Sequence, residues 1–204
     1  MYQLNIPNVI TLIRIILVAP FVVCLLHLQD EYWAQWFRWG ALGVFAVMSV
    51  TDGLDGFLAR RWNQQTAVGR LLDPLADKLL IFFSIILLAH EGTHVTGKML
   101  PPEVAVIAIG KDLFVLLGFC IIYFATSKTY VDPRAWGKAC MVSQLAMVIS
   151  ILIYPDLPDY LAYLPNFLWW IASFLAVMTA IQYFHLGRLF IIQQGREVPQ
   201  DDRK

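Results

Sequence analysis

Long apolar stretches alternate with short polar connections along the whole chain. Six such stretches run from Asn8 to Leu28, Ala34 to Ala59, Leu71 to Ala89, Glu103 to Ala125, Gly137 to Tyr154 and Leu161 to Leu186. A helix needs about 20 mostly apolar residues to cross a hydrocarbon core about 30 Å thick. The pattern therefore predicts an all-α integral membrane protein, a bundle of about six transmembrane helices. The opening MYQLNIPNVITLIRII lacks a basic leader region and a small-residue cleavage site, so the first stretch is expected to be retained as a helix. There is no internal repeat and no linker long enough to separate domains. One membrane domain is expected over residues 1–190, with a polar cytoplasmic tail over 191–204 that is solvated and poorly ordered.

The connections alternate in charge. Arg60, Arg61 and Arg70 lie in the second, Lys128, Arg134 and Lys138 in or beside the fourth, and Arg188, Arg196, Arg203 and Lys204 toward the end. The first, third and fifth hold Arg38 and Lys98 beside Asp30, Glu31, Asp156 and Asp159. By the positive-inside rule the second and fourth connections and both termini face the cytoplasm.

Composition agrees with a lipid environment: 59% of residues are apolar and 15% charged, against roughly a quarter charged in soluble domains. The formal net charge is +0 and no basic block interleaves with aromatics, which argues against a nucleic-acid partner. Cys24, Cys120 and Cys140 lie scattered in apolar runs, giving neither a disulfide framework nor a zinc spacing. Trp33, Trp36, Trp39, Trp169 and Trp170 read as interface or lipid-facing residues.

Candidate chemistry concentrates in TDGLDGFLARRWNQQTAVGRLLDPLADKLL, residues 51–80. It sets Asp52, Asp55, Asp73 and Asp77 at the cytoplasmic end of two neighbouring spans. A carboxylate near hydrocarbon is costly unless it faces a cavity, a partner or a metal. Asp52 and Asp55 are three apart and Asp73 and Asp77 four apart, so on helices each pair shares a face. Oxygen-only ligands suit a hard cation, Mg2+ or Mn2+, rather than zinc. Four negative charges can hold two such ions, an arrangement suited to displacement at phosphorus. Gly53, Gly56, Ala59 and Gly69 permit close approach to the backbone, and Arg60 could hold a phosphate. The structural alternative is that the aspartates cap helices and pair with Arg60, Arg61, Arg70 and Lys78.

Asp52-x2-Asp55-Gly56-x2-Ala59-Arg60-x8-Gly69-x3-Asp73-x3-Asp77 resembles the full signature of the CDP-alcohol phosphotransferases. The opening Asn5-Ile6-Pro7-Asn8-Val9-Ile10-Thr11-Leu12-Ile13-Arg14 is similar to the start of the phosphatidylglycerophosphate synthase branch and of the eukaryotic-type cardiolipin synthases. The resemblance implies a CDP-diacylglycerol donor, release of CMP, and metal ligation by the four aspartates, with Asp77 also taking the acceptor's proton. It implies that Asn8, Thr11, Gly56, Arg60 and Thr66 contact the CDP portion. It also makes a homodimer a natural assembly. A carboxylate poised beside the attacking alcohol is a sound general base on physical grounds, since the proton leaves only as the bond to phosphorus forms.

Two lysines bear on the acceptor. Lys111 lies inside the fourth apolar stretch and Lys138 opens the fifth, and a lysine at membrane depth usually answers to an anion. Either they bind an acceptor phosphate, or Lys111 pairs with Asp112 and Lys138 snorkels to the interface. The phosphatidylglycerophosphate synthase branch usually carries Arg at position 111, and Lys and Thr where this chain has Cys140 and Met141. The favoured acceptor is glycerol 3-phosphate. The alternative is phosphatidylglycerol, because Gln182 to Arg188 faintly resembles the matching segment of cardiolipin synthases.

Other classes fit less well. His90-Glu91-Gly92-Thr93-His94 matches the HExxH pattern of zinc proteases, but Gly92 and Thr93 are poor helix formers and no third ligand motif follows. Membrane prenyltransferases have two Asp-rich motifs far apart in the chain, whereas these pairs are close. A transporter would account for intramembrane Asp and Lys, yet leaves a single acidic cluster without a repeat unexplained.

Overall fold

The computed structural model describes the backbone of residues 6–62, 67–126 and 135–197, and the side chains of 12–51, 78–118 and 136–188. Six α-helices occur in the order α1 (Ile6–Leu26), α2 (Ala34–Trp62), α3 (Ala67–Leu88), α4 (Pro102–Thr126), α5 (Ala135–Leu152) and α6 (Leu164–Glu197). No strand occurs among the described residues, only an isolated bridge between Val95 and Lys98. The helices coincide with the six apolar stretches. By length and composition, one described segment, Asp159–Arg188, is suited to crossing a membrane. Shorter apolar helical segments, Leu12–Leu26, Lys78–Leu88 and Trp136–Leu152, each begin where the described side chains begin.

Local chemistry sets the helix ends. Asp30 Oδ1 accepts the backbone N–H groups of Tyr32 and Trp33 at 3.1 and 3.0 Å, turning the chain into α2. The hydroxyl of Thr93 donates to the Leu87 carbonyl at 2.6 Å, adding to the His90 N–H that the same carbonyl accepts at 3.3 Å at the end of α3. A tight turn follows, closed by Lys98 N–H to the Val95 carbonyl at 2.9 Å. Its Gly97 has φ 81°, a conformation that costs other residues strain. Pro102 opens α4 with Glu103 in the first turn, a position that needs no N–H and favours an acid.

The 34 residues of α6 make it about 50 Å long at 1.5 Å per residue, more than a hydrocarbon core requires. It continues through position 190, where the sequence pattern ends the membrane domain, to Glu197. Gln193, Gln194, Arg196 and Glu197 are good helix formers, and Val198 precedes Pro199, which disfavours helical backbone.

Helix α1 packs on α2 and α3, α6 packs on α4 and α5, and the two groups meet chiefly through α2, α3, α4 and α5. A continuous core runs through both, including Phe21 and Leu25 of α1, Phe45 and Met48 of α2, Ile85 of α3, Val104 of α4, Met147 and Ile151 of α5 and Ala172 of α6. Phe21 and Phe45 are in ring contact with centroids 5.7 Å apart. Such packing gains from dispersion and close approach. Small residues serve that approach: Ala41, Ala105, Ala108, Ala172 and Ala176 are all buried. Buried hydroxyls bond back along their own helices, Ser84 to Leu80, Ser150 to Met147 and Ser173 to Trp169, so no water is needed to satisfy them.

One end of the bundle is closed by its connections. Gln29 Nε2 donates to the Glu91 carbonyl at 2.9 Å and lies 2.8 Å from His94 Nδ1. Arg38 at the start of α2 donates to the carbonyl of Leu152, the last residue of α5, at 2.9 Å. The Lys98 ammonium lies 5.0 Å from the ring centroids of both Tyr154 and Trp169. Burial pushes its pKa below the usual lysine value. These contacts gather the end of α1, the start of α2, the end of α3, the start of α4, the end of α5 and the start of α6.

Candidate active site

That topology leaves the later portion of α2 and the first portion of α3 at the opposite end. Asp52, Asp55, Gly56 and Arg60 fall on α2, and Asp73 and Asp77 on α3, with a connection of residues 63–66 between the helices. Because both helices are continuous, positions three apart in α2 and four apart in α3 fall on one side of each. The side chains of these residues lie outside the described set, as do those of Asn8 and Thr11 in the first turns of α1; Thr66 lies outside it entirely. What the fold brings together is therefore two acidic segments on consecutive helices at one end.

Carboxylate oxygens alone form the donor set that these segments offer, and it fits a hard divalent cation. Among the described residues, no group of three or more His, Cys, Asp or Glu could hold an ion. The HExxH segment is no exception. His90 to His94 forms turns rather than a helix, with His90 Nδ1 accepting the Gly92 N–H at 3.0 Å and His94 engaged by Gln29. Its two histidines are thus not one turn apart on a helical face.

Lys111 is buried on α4. Its ammonium lies 2.9 Å from Asp112 Oδ1 and 3.6 Å from Cys140 Sγ on α5. Pairing with Asp112, one of the two readings of the sequence, is therefore present. The same Asp112 oxygen also accepts from Lys78, the residue after Asp77 on α3. One carboxylate thus joins α3 just beyond the acidic pair to α4, and Lys111 extends the contact to α5. Lys138 is not a member of this group: it is exposed on α5, and two residues along a helix separate it by about 200° from buried Cys140.

Sequence reading does not single out two other groups. Arg14 in α1 is almost wholly buried, at 1% exposure. Gln144, one turn along α5 from Cys140, is 2% exposed and its Nε2 makes no hydrogen bond. The burial of Arg14 could have been suspected, since a cation inside an apolar stretch must face protein. Nothing in the local pattern distinguishes Gln144.

Comparison with known proteins bears on the same segments. The CDP-alcohol phosphatidyltransferase family model matches residues 4–182, which include all four aspartates, Lys111 and Lys138. A protein of Shigella flexneri serotype 5b (strain 8401) named CDP-diacylglycerol--glycerol-3-phosphate 3-phosphatidyltransferase is 30% identical over 197 residues, covering 94% of this chain and 100% of the relative. A protein of the same name from Escherichia coli (strain K12) matches with the same identity and coverage. With its helical order, its acidic segments and a match of this extent, the chain belongs to the CDP-alcohol phosphatidyltransferase family.

Proposed function

We propose that this protein transfers the phosphatidyl group of CDP-diacylglycerol to glycerol 3-phosphate, forming phosphatidylglycerophosphate and CMP. The observation that carries the reading is the meeting of two acidic segments at one end of the bundle with a buried lysine tied to the second of them. Whole-length relatives whose printed name states this reaction support it.

In the proposed reaction the acceptor hydroxyl attacks the phosphorus esterified to diacylglycerol. A new P–O bond forms, the bond from that phosphorus to the CMP oxygen breaks, and CMP leaves with the electron pair. Asp77 receives the hydroxyl proton as attack proceeds. Arg60 steadies the diphosphate, and Asn8, Thr11, Gly56 and Thr66 contact the CDP portion. Asp52, Asp55, Asp73 and Asp77 would hold two Mg2+ or Mn2+ ions, which when bound neutralise charge on the phosphate oxygens. Lys111 attracts the acceptor's phosphate, and Lys138 serves at the exposed rim.

The lipid donor requires that this end open to the bilayer. The six helices are assigned as membrane spans in a cell inner membrane or organellar equivalent, with both termini and the acidic end on the cytoplasmic side. The cation-rich second and fourth connections support that orientation. Exposed Tyr32, Trp33 and Trp36 around the start of α2, and Tyr160, Tyr163 and Trp170 around the start of α6, suit the opposite interface. A homodimer is compatible with this arrangement.

Purified protein in lipid micelles with CDP-diacylglycerol and Mg2+ tests the assignment. CMP release should depend on glycerol 3-phosphate and yield phosphatidylglycerophosphate. Release that responds only to phosphatidylglycerol would replace the acceptor, and release with neither would reject the function.

A further inference from the structure

We infer that Asp112 is a positioning residue that holds Lys78 and Lys111 as a two-lysine clamp for the acceptor's phosphate, with Lys78 an additional anion-binding residue. This rests on the acceptor reading above and adds to it a second cation and the group that sets its place.

Both ammonium groups address the same oxygen, Asp112 Oδ1. Two nitrogens bonded to one oxygen lie no farther apart than two hydrogen bonds end to end, about 6 Å. A phosphate monoester carries several charged oxygens, and lysine binds such groups as a mobile point charge. The side chains also differ in a useful way. Lys111 is enclosed, with a side chain 7% exposed, whereas that of Lys78 is 54% exposed.

A purely structural tie between α3 and α4 needs one lysine for one carboxylate. Among the described residues, this cluster instead sets two positive charges against one negative. A phosphate arriving between the lysines would give each ammonium a charged oxygen of its own, which one shared carboxylate oxygen does not. Cys140 Sγ, the other described neighbour of Lys111, is a weak acceptor and cannot supply that charge. Without Asp112 the two ammonium groups would repel and move apart, so the carboxylate keeps the clamp assembled until the substrate takes up its charge.

Steady-state kinetics on the full chain in mixed micelles tests this, varying each substrate in turn for Asp112→Asn, Asp112→Glu and Lys78→Met. The expected result is a rise of about tenfold or more in KM for glycerol 3-phosphate for Asp112→Asn and Lys78→Met, with KM for CDP-diacylglycerol changed less than about twofold. Asp112→Glu should recover most of the loss. Inorganic phosphate, used as a competitive inhibitor against glycerol 3-phosphate, should weaken in parallel. If Asp112→Asn does not accumulate, Lys78→Met carries the same test. Equal changes for both substrates, or a lowered melting temperature without a selective change in KM, would overturn the clamp. Wild-type protein that ignores glycerol 3-phosphate would overturn the acceptor reading and the clamp together, whereas normal use of it by the variants would overturn the clamp alone.

Discussion

Arg38 and Asp156 meet at 2.5 Å across 118 residues of sequence, joining the start of α2 to the short 3-10 turn that follows α5. The arginine is buried, and the same Nη1 also donates to the carbonyl of Leu152. A cation at the end of a helix satisfies carbonyls that have no partner in the helix and complements its dipole. The ion pair therefore does more than join two charges, because it closes the end of the bundle remote from the acidic segments.

Acid should expose this contact. The hydrogen bond from Arg38, ahead of the opposing effect of burial, holds the Asp156 carboxyl below the usual carboxylate range. A group whose pKa is lower in the folded than in the unfolded state adds stability above its unfolded pKa, about 3.9, and loses it as pH falls through the folded value. Thermal melting in micelles should thus show wild-type protein ahead of Asp156→Asn by a constant margin at neutral pH. The margin should shrink below about pH 4. A margin independent of pH would show that the charge of Asp156 is not what stabilises this end.

Gly97 supports the same end by backbone conformation alone. Its φ of 81° strains any residue with a Cβ, and a methyl group there would meet Tyr154 Cε1 at 3.3 Å. Gly97→Ala is expected to destabilise by about 1–2 kcal/mol, the cost of the left-handed region. The change should appear in the melting temperature with KM for both substrates unaltered, because the turn lies at the end opposite the acidic segments.

Replacing the aspartates should distinguish a base from a metal ligand. Asp77→Asn keeps the size of the side chain and removes its basicity, so kcat should fall by about 100-fold to 10,000-fold while binding of CDP-diacylglycerol is partly spared. Asp52→Asn, Asp55→Asn and Asp73→Asn should act by weakening Mn2+ binding, followed by paramagnetic resonance without substrate, whereas Asp77→Asn, also a ligand, should lose turnover even at saturating Mn2+. Near-normal turnover by Asp77→Asn would remove it as the base.

Chelation gives an independent check on the same residues. EDTA should abolish CMP release, and Mg2+ or Mn2+ should restore it, since a set of carboxylates favours hard cations. Restoration by Zn2+ alone would point to other ligands.

Much of this organisation is legible in the sequence because it is periodic or local. Apolar stretches of spanning length locate all six helices, with ends within a few residues except that α6 runs on from Leu186 to Glu197, and the spacing of Asp52, Asp55, Asp73 and Asp77 identifies the acidic segments. The pairs made between distant segments are not legible. Nothing near Asp156 indicates Arg38, and nothing near Lys78 indicates Asp112, because each pairing depends on which helices become neighbours. By spacing alone Lys78 is a candidate partner for the local aspartates, yet it reaches α4 instead. Lys138 illustrates the converse: its sequence position beside Gly137 suggests a role paired with Lys111, and helix geometry separates them.

The lysine at position 111 offers the sharpest test of acceptor choice. It is enclosed by Asp112 and Cys140, so Lys111→Met preserves much of the packed stem while removing the charge. KM for glycerol 3-phosphate should rise by about tenfold or more, with the donor's KM little changed, because a ground-state contact to one substrate has been removed. Lys111→Arg retains the charge and can grip phosphate through two N–H groups, but its wider head must fit where Cys140 Sγ stands 3.6 Å away. It should therefore bind the acceptor better than Lys111→Met, and pairing it with Cys140→Ala, which frees space beside the guanidinium, should improve it further. If Met and Arg behave alike, the charge at position 111 does not select the acceptor.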